Sequence, residues 1–175
     1  MPGVDLAELA AAVRALQSQV DLLGMPPAPI NAIHSETQPR CAFVVMPFGP
    51  DELQVVYEEF VKPTLEMVCS LRCVRGDDIF GSNVVMDDVS HAIGEADVLV
   101  ADLTGRNANV FYEVGIAHAL DKPVLLIAQS LDDVPFDLRH RRILLYEYSP
   151  RGCKRLEQAI AEHMNAMLGT ESVRT

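Results

Sequence analysis

Between Leu6 and Leu23 large aliphatic residues recur three and four apart, at Leu6, Leu9, Val13, Leu16, Val20 and Leu23. This is the seam of a heptad repeat, with Leu6, Val13 and Val20 at a and the other three at d, and it predicts an amphipathic helix over residues 1–24. β-Branched Val13 and Val20 at a, with Leu at d, favour two parallel strands. A homo-oligomer joined through this helix is therefore expected; the alternative is a helix folded back onto its own domain. Gly24 ends the periodicity, and Pro26, Pro27 and Pro29 cannot continue it, so residues 25–40 read as a Pro-rich linker.

Beyond residue 40 the pattern changes to short continuous apolar runs separated by helical periodicity. Residues 41–46 form the first run, broken by Pro47 and Pro50. A helix is expected over about 52–69, with a kink or break at Pro63, then a strand over 71–75, a loop over 76–83 and a helix over 84–95. A third strand at 97–101 leads through a loop at 102–109 into a helix capped by Asn109 and running to about 120. Runs at 123–128 and 143–148 supply two more strands, and a last amphipathic helix spans 153–168. Strands alternating with helices at this rhythm predict an α/β domain over 41–170, a doubly wound parallel five-stranded sheet in the flavodoxin-like order 2-1-3-4-5. In such sheets ligands bind beyond the carboxyl ends of the strands, near the switch between strands one and three.

Composition narrows the partners. Of 175 residues, 25 are acidic and 14 are Lys or Arg, a formal charge of −11. Such a surface repels phosphate backbones and anionic lipid, so neither nucleic acid nor a membrane is expected, whereas a small nucleotide in a local pocket is compatible with it. With 49% apolar and 22% charged residues the chain is not broadly disordered. Cys41, Cys69, Cys73 and Cys153 form no CxxC pair. Cys41 and Cys69 lie in apolar runs and read as small buried hydrophobes, which suits reduced thiols. The opening residues lack a signal peptide's basic and apolar regions, and no apolar run approaches the ~20 residues of a spanning helix. A soluble, cytoplasmic protein without metal or cofactor is expected.

The carboxyl-end rule selects the loops at 47–51, 76–83 and 102–109. Glu113 follows early in the next helix, where the dipole would favour its charge and Gly115 would allow close packing on the sheet. Tyr112 adjoins Glu113, but neighbours on a helix diverge by about 100°, so the two cannot face one pocket squarely. No GxxxxGK[ST], no GxGxxG after a strand and no GxSxG is present, and the first strand ends in Met46-Pro47-Phe48 rather than acids. His91 and His118 stand alone in helices and read as partly exposed residues rather than ligands.

The run AFVVMPFG at 42–49, RGD at 75–77 and the block ADVLVADLTGRNANVFYEVGIAHAL at 96–120 resemble the nucleoside 2-deoxyribosyltransferase-like superfamily, and more narrowly its bacterial TIR-like branch. KPVLLI at 122–127 and PFDL at 135–138 agree, so the likeness covers about residues 41–148. It implies a doubly wound fold and chemistry at an N-glycosidic bond of a nucleotide, NAD or nucleoside, with antiphage defence as one setting. Glu113 becomes the nucleophile or the stabiliser of an oxocarbenium ion, since a carboxylate can capture or stabilise the charge that develops on the sugar. The second acid falls at Asp87 or Asp88, with Asp88 favoured. An acid that the transferases carry six residues before the nucleophile is replaced here by Asn107, which fits nucleotide cleavage better than transfer between bases.

The same residues have plainer readings. Met46, Pro47, Phe48 and Gly49 shape a pocket wall or simply end a strand. Asp102 contacts a ribose or caps a turn, and Arg106, Asn107 and Asn109 meet a ligand or are turn residues. Asp77 belongs to the binding set or solvates its loop, with Arg75 paired to it or to Asp78. The Arg139-His140-Arg141-Arg142 run is a solvated face. Two functional classes result: an N-glycosidase, or a nucleotide-binding or self-assembling module that retains the pocket without turnover.

Overall fold

The computed structural model describes residues 39–76 and 86–169, the side chains of residues 86 and 87 excepted. The helix expected over 1–24, the linker up to residue 38, and the loop carrying Asp77 and Asp78 lie outside the described residues. From Pro39 onward the chain belongs to one compact unit.

Five parallel strands order as β2-β1-β3-β4-β5, the flavodoxin-like arrangement. They are β1 (Cys41–Val45), β2 (Arg72–Arg75), β3 (Val98–Asp102), β4 (Val124–Ala128) and β5 (Ile143–Leu145). Strands covered on both faces need apolar residues at every position, and β1, β3 and β4 supply them. Phe43 pairs with Val74 on one side and Leu99 on the other, and Ala101 pairs with Leu126. Alternation then sorts the side chains into two cores. Ala42, Val44, Val98, Val100, Leu125 and Ile127 face one layer. Phe43, Val45, Leu99, Ala101, Leu126 and Ala128 face the other.

The first layer is built from α1 and α4. Helix α1 starts at Asp51–Val56 and continues through two π-helical turns, Tyr57–Val61 and Thr64–Val68. Pro63 was the expected break, yet the helix runs through it. Wider turns on either side ease the clash of a proline ring with the preceding turn, and the Thr64 hydroxyl donates to the Phe60 carbonyl at 2.7 Å. Helix α4 (Pro150–Leu168) opens earlier than residue 153, because Ser149 caps it by accepting from the Gly152 N–H and Pro150 suits the first turn.

The second layer is built from α2 (Met86–Glu95) and α3 (Ala108–Ala119), which pack on each other. Asn107, not Asn109, caps α3: its side chain accepts from the N–H groups of Asn109 and Val110. Gly115 does not serve close packing either. It lies on the exposed side of α3, where an added Cβ would meet nothing within 4 Å. The fifth strand ends at Leu145 rather than 148, since the chain turns at Glu147 to reach the Ser149 cap. Cys41 and Cys69 are half-buried, Cys73 and Cys153 buried, and all four are free thiols. No helix of the described residues is long and apolar enough to cross a membrane.

Candidate active site

Parallel strands joined by helical crossovers place the starts of α1, α2 and α3 at the carboxyl end of the sheet. Asp88 near the start of α2 and Glu113 in α3 therefore lie toward the same end, on two neighbouring helices of one layer. Because α3 begins at Ala108, Glu113 occupies the second turn, past the reach of the helix dipole that was expected to favour its charge. Burial acts in the opposite sense and raises its carboxyl from 4.5 to about 7. Val110, Val114 and Ala117 form the buried face of α3, and Glu113 flanks it half-buried while Tyr112 points to solvent. Among the described residues Glu113 makes no hydrogen bond or ion pair.

Asp102 is at the same end and differs in every respect. Period-two alternation along β3 turns its side chain toward the α1/α4 layer, away from α3. It is 3% exposed, and both oxygens are engaged. Oδ1 accepts from the Thr104 N–H at 2.9 Å and Oδ2 from the Tyr146 hydroxyl at 2.6 Å. Gln129 donates from Nε2 to the Tyr146 oxygen at 3.4 Å, and its own N–H donates to Thr104 Oγ1 at 3.0 Å. One network thus ties the ends of β3, β4 and β5. Burial raises the Asp102 carboxyl, against the hydrogen bonds from Thr104 and Tyr146. Burial and the neighbouring Asp102 also raise the Tyr146 phenol.

The remaining expected residues divide between wall and scaffold. Met46 and Pro47 are buried at the end of β1, while Phe48 and Gly49 are exposed beyond it. Arg106 holds a left-handed backbone at φ 57°, unusual for a residue with a side chain, and its guanidinium donates to the Asp132 carbonyl at 2.9 Å. Asn107 is committed to its cap, and Asn109 is exposed. Asp88 is exposed and borders a groove of about 320 Å³ with Arg72, His91 and Glu95; Glu113 is not part of that lining.

Two groups escaped sequence reasoning. Tyr146 looked like one more apolar strand position, with nothing local to link it to Asp102, 44 residues away. Arg75 was assigned only an acidic neighbour, yet it is 6% exposed at the end of β2. It lies 4.3 Å from the centre of the Tyr57 ring and donates to Gln54 Oε1 at 2.7 Å and toward Met46 Sδ at 3.8 Å. A charged residue closing an apolar run, as Arg75 and Asp102 both do, is the signal that could have found them. Among the described residues no group of three His, Cys, Asp or Glu could hold a metal ion.

No protein-family model matches the chain, and no curated protein matches it. Solved structures share its fold. The CMP N-glycosidase BcmB of Clostridium botulinum superposes with a TM-score of 0.51 at 15% identity, over 69% of this chain and 99% of that one. A 2-desoxiribosyltransferase from Leishmania mexicana aligns with a TM-score of 0.45 at 22% identity, over 53% of this chain. The present chain spans 66% of that protein's length, just under two thirds. At these identities the likeness is one of fold.

Proposed function

We propose that the protein is an N-glycosidase that releases the base from a nucleotide, NAD or a nucleoside, with Glu113 acting at the anomeric carbon. The observation that carries this reading is the half-buried, unpartnered Glu113 at the carboxyl end of the sheet, its carboxyl raised to about 7. A carboxyl desolvated in this way is a feature of catalytic sites rather than of solvated helix faces. The block at 96–120 that resembles the deoxyribosyltransferase-like superfamily, TIR-like branch included, supports the same residue, and the fold shared with a CMP N-glycosidase is consistent with the chemistry.

In this reading the ionised Glu113 attacks C1′, or stabilises the cation formed there, as the base departs with the bonding electron pair and takes up a proton. Water then breaks the glycosyl–carboxylate bond and leaves the free sugar or sugar phosphate. Asp88 is the acid proposed to supply the proton to the base. Met46, Pro47, Phe48, Gly49, Asp77, Arg106, Asn109 and Tyr112 are proposed to border the substrate, while Asp102 and Asn107 position the loop after β3.

The test is base release from CMP, other nucleoside monophosphates, nucleosides and NAD, followed by chromatography. Glu113→Gln should reduce release by about 100-fold or more while the fold persists, because nucleophile and charge are lost together. Activity within a few-fold of the unaltered chain would remove Glu113 from the mechanism. Nucleotide binding without any base release would instead favour the non-catalytic module.

A further inference from the structure

We propose that β5 pairs antiparallel with β5 of a second copy of this chain, joining two sheets about a two-fold axis at Leu144. The two edges of the sheet differ. At one edge β2 carries Arg72 and Arg75 within the strand, whereas β5 at the other is Ile143-Leu144-Leu145, without charge, proline or bulge. Charges within an edge strand discourage further pairing, and β5 lacks them.

Hydrogen-bond parity fixes which groups are open. Leu145 stands opposite Ala128, and the Tyr146 N–H donates to the Ala128 carbonyl at 3.0 Å, so Leu144 and Tyr146 direct their backbone groups at β4. The N–H and C=O of Ile143 and Leu145 therefore face outward. In an antiparallel pair centred on Leu144, Ile143 of each copy meets Leu145 of the other, and both residues present outward-facing groups. Four main-chain bonds form without any change of strand conformation.

The flanking charges obey the same symmetry. Arg141 and Glu147 are equidistant from Leu144, so each Arg141 lies opposite the other copy's Glu147, at both ends of the ribbon. Among the described residues Arg141 has no ion pair. The bond of Glu147 to Arg155 is 3.7 Å long between exposed side chains, so it does not hold Glu147 away from a second cation. Parallel pairing would set arginine beside arginine.

Pairing also covers apolar surface. Leu145 is 55% exposed, and a groove of about 470 Å³ runs along the edge between Leu144, Tyr146, Arg155, Leu156 and Ala159. Leu144 of the second copy enters this groove from its opposite rim.

The pairing is tested on the full chain by Leu144→Cys. Directly opposed residues of this non-bonded type stand about 4.5 Å apart at Cα, within the disulfide window. Mild oxidation should link Leu144→Cys chains to one another, whereas Val55→Cys on exposed α1 should stay unlinked. Adding Arg141→Glu should slow linkage about fivefold, since like charges then oppose at two places, and Arg141→Glu with Glu147→Arg should restore it. Leu144→Cys that links no faster than Val55→Cys overturns the proposal. If that variant fails to fold, light scattering on the single and double charge variants decides: double reversal that does not recover the association lost by Arg141→Glu overturns it equally. A dimer held by residues 1–24 leaves both comparisons unmoved, and so does loss of the N-glycosidase reading.

Discussion

Asp102 and Glu113 sit at the same end of one sheet, and burial raises both carboxyls. Asp102 is inside the α1/α4 layer with each oxygen occupied, by Thr104 and by Tyr146. Glu113 is at the margin of the other layer with no partner among the described residues. A satisfied buried carboxyl contributes rigidity at three strand ends, whereas an unsatisfied one retains acceptor capacity for something outside the protein. The difference teaches that a raised carboxyl alone does not mark a site; its bonding does.

The widest separation between the two should appear on removal. Asp102→Ala leaves the Tyr146 hydroxyl and the Thr104 N–H without their acceptor, and urea unfolding should show a loss of about 2–3 kcal/mol. Glu113→Gln should lose its activity and none of its stability. An equal loss of stability in both variants would erase the distinction.

Tyr146→Phe breaks the network at one bond while keeping the ring that packs in the α1/α4 core. A loss of about 1–2 kcal/mol is expected by the same measurement. No loss would mean that Asp102 is held by the backbone turn alone.

Titration separates them differently. Between 4.5 and about 7 the folded protein keeps a proton on Glu113 that the unfolded chain has released. Glu113 therefore makes stability fall as pH rises through that window, and the loss is complete above about 7. Glu113→Gln should match the unaltered chain in Tm near pH 4 and exceed it by roughly a few degrees at pH 8. Base release that depends on ionised Glu113 should rise over the same window, with a midpoint near 7. A flat Tm difference would show that the carboxyl is better solvated than its position implies.

The smallest effect concerns the exposed side of α3. Gly115→Ala fills open space in a helix interior and should stabilise by roughly 0.5–1 kcal/mol, read from thermal unfolding, with activity retained. Loss of activity without loss of stability would bring that side of α3 into the site.

Much of this molecule is legible in the order of its residues. The unbroken apolar runs at 41–45 and 98–101 could only be strands covered on both faces, and their alternation with helices implied the crossovers and the strand order. Glu113 stood out because a long motif surrounds it. Boundaries were less legible. Asn107 and Asn109 are equal as caps in sequence, and only the path of the loop after β3 decided which one accepts from α3's first N–H groups. Pro63 was overread because a proline's clash is local, whereas the packing of α1 on the sheet, through Tyr57, Val61 and Leu65, is not.

What the sequence determined by itself is whatever depends on near neighbours and periodicity: strands, helices, their parallel order and the end at which chemistry belongs. What the tertiary structure alone decided is which polar groups meet. Tyr146 reaches Asp102 because β4 brings β5 within two strands of β3, and Arg75 reaches Gln54 and Tyr57 because β2 ends under α1. The physical reason is that desolvation and hydrogen bonding act over a few ångströms of space, whatever the distance along the chain. Two carboxyls eleven residues apart can thus come to rest on opposite faces of one sheet, one saturated and one open.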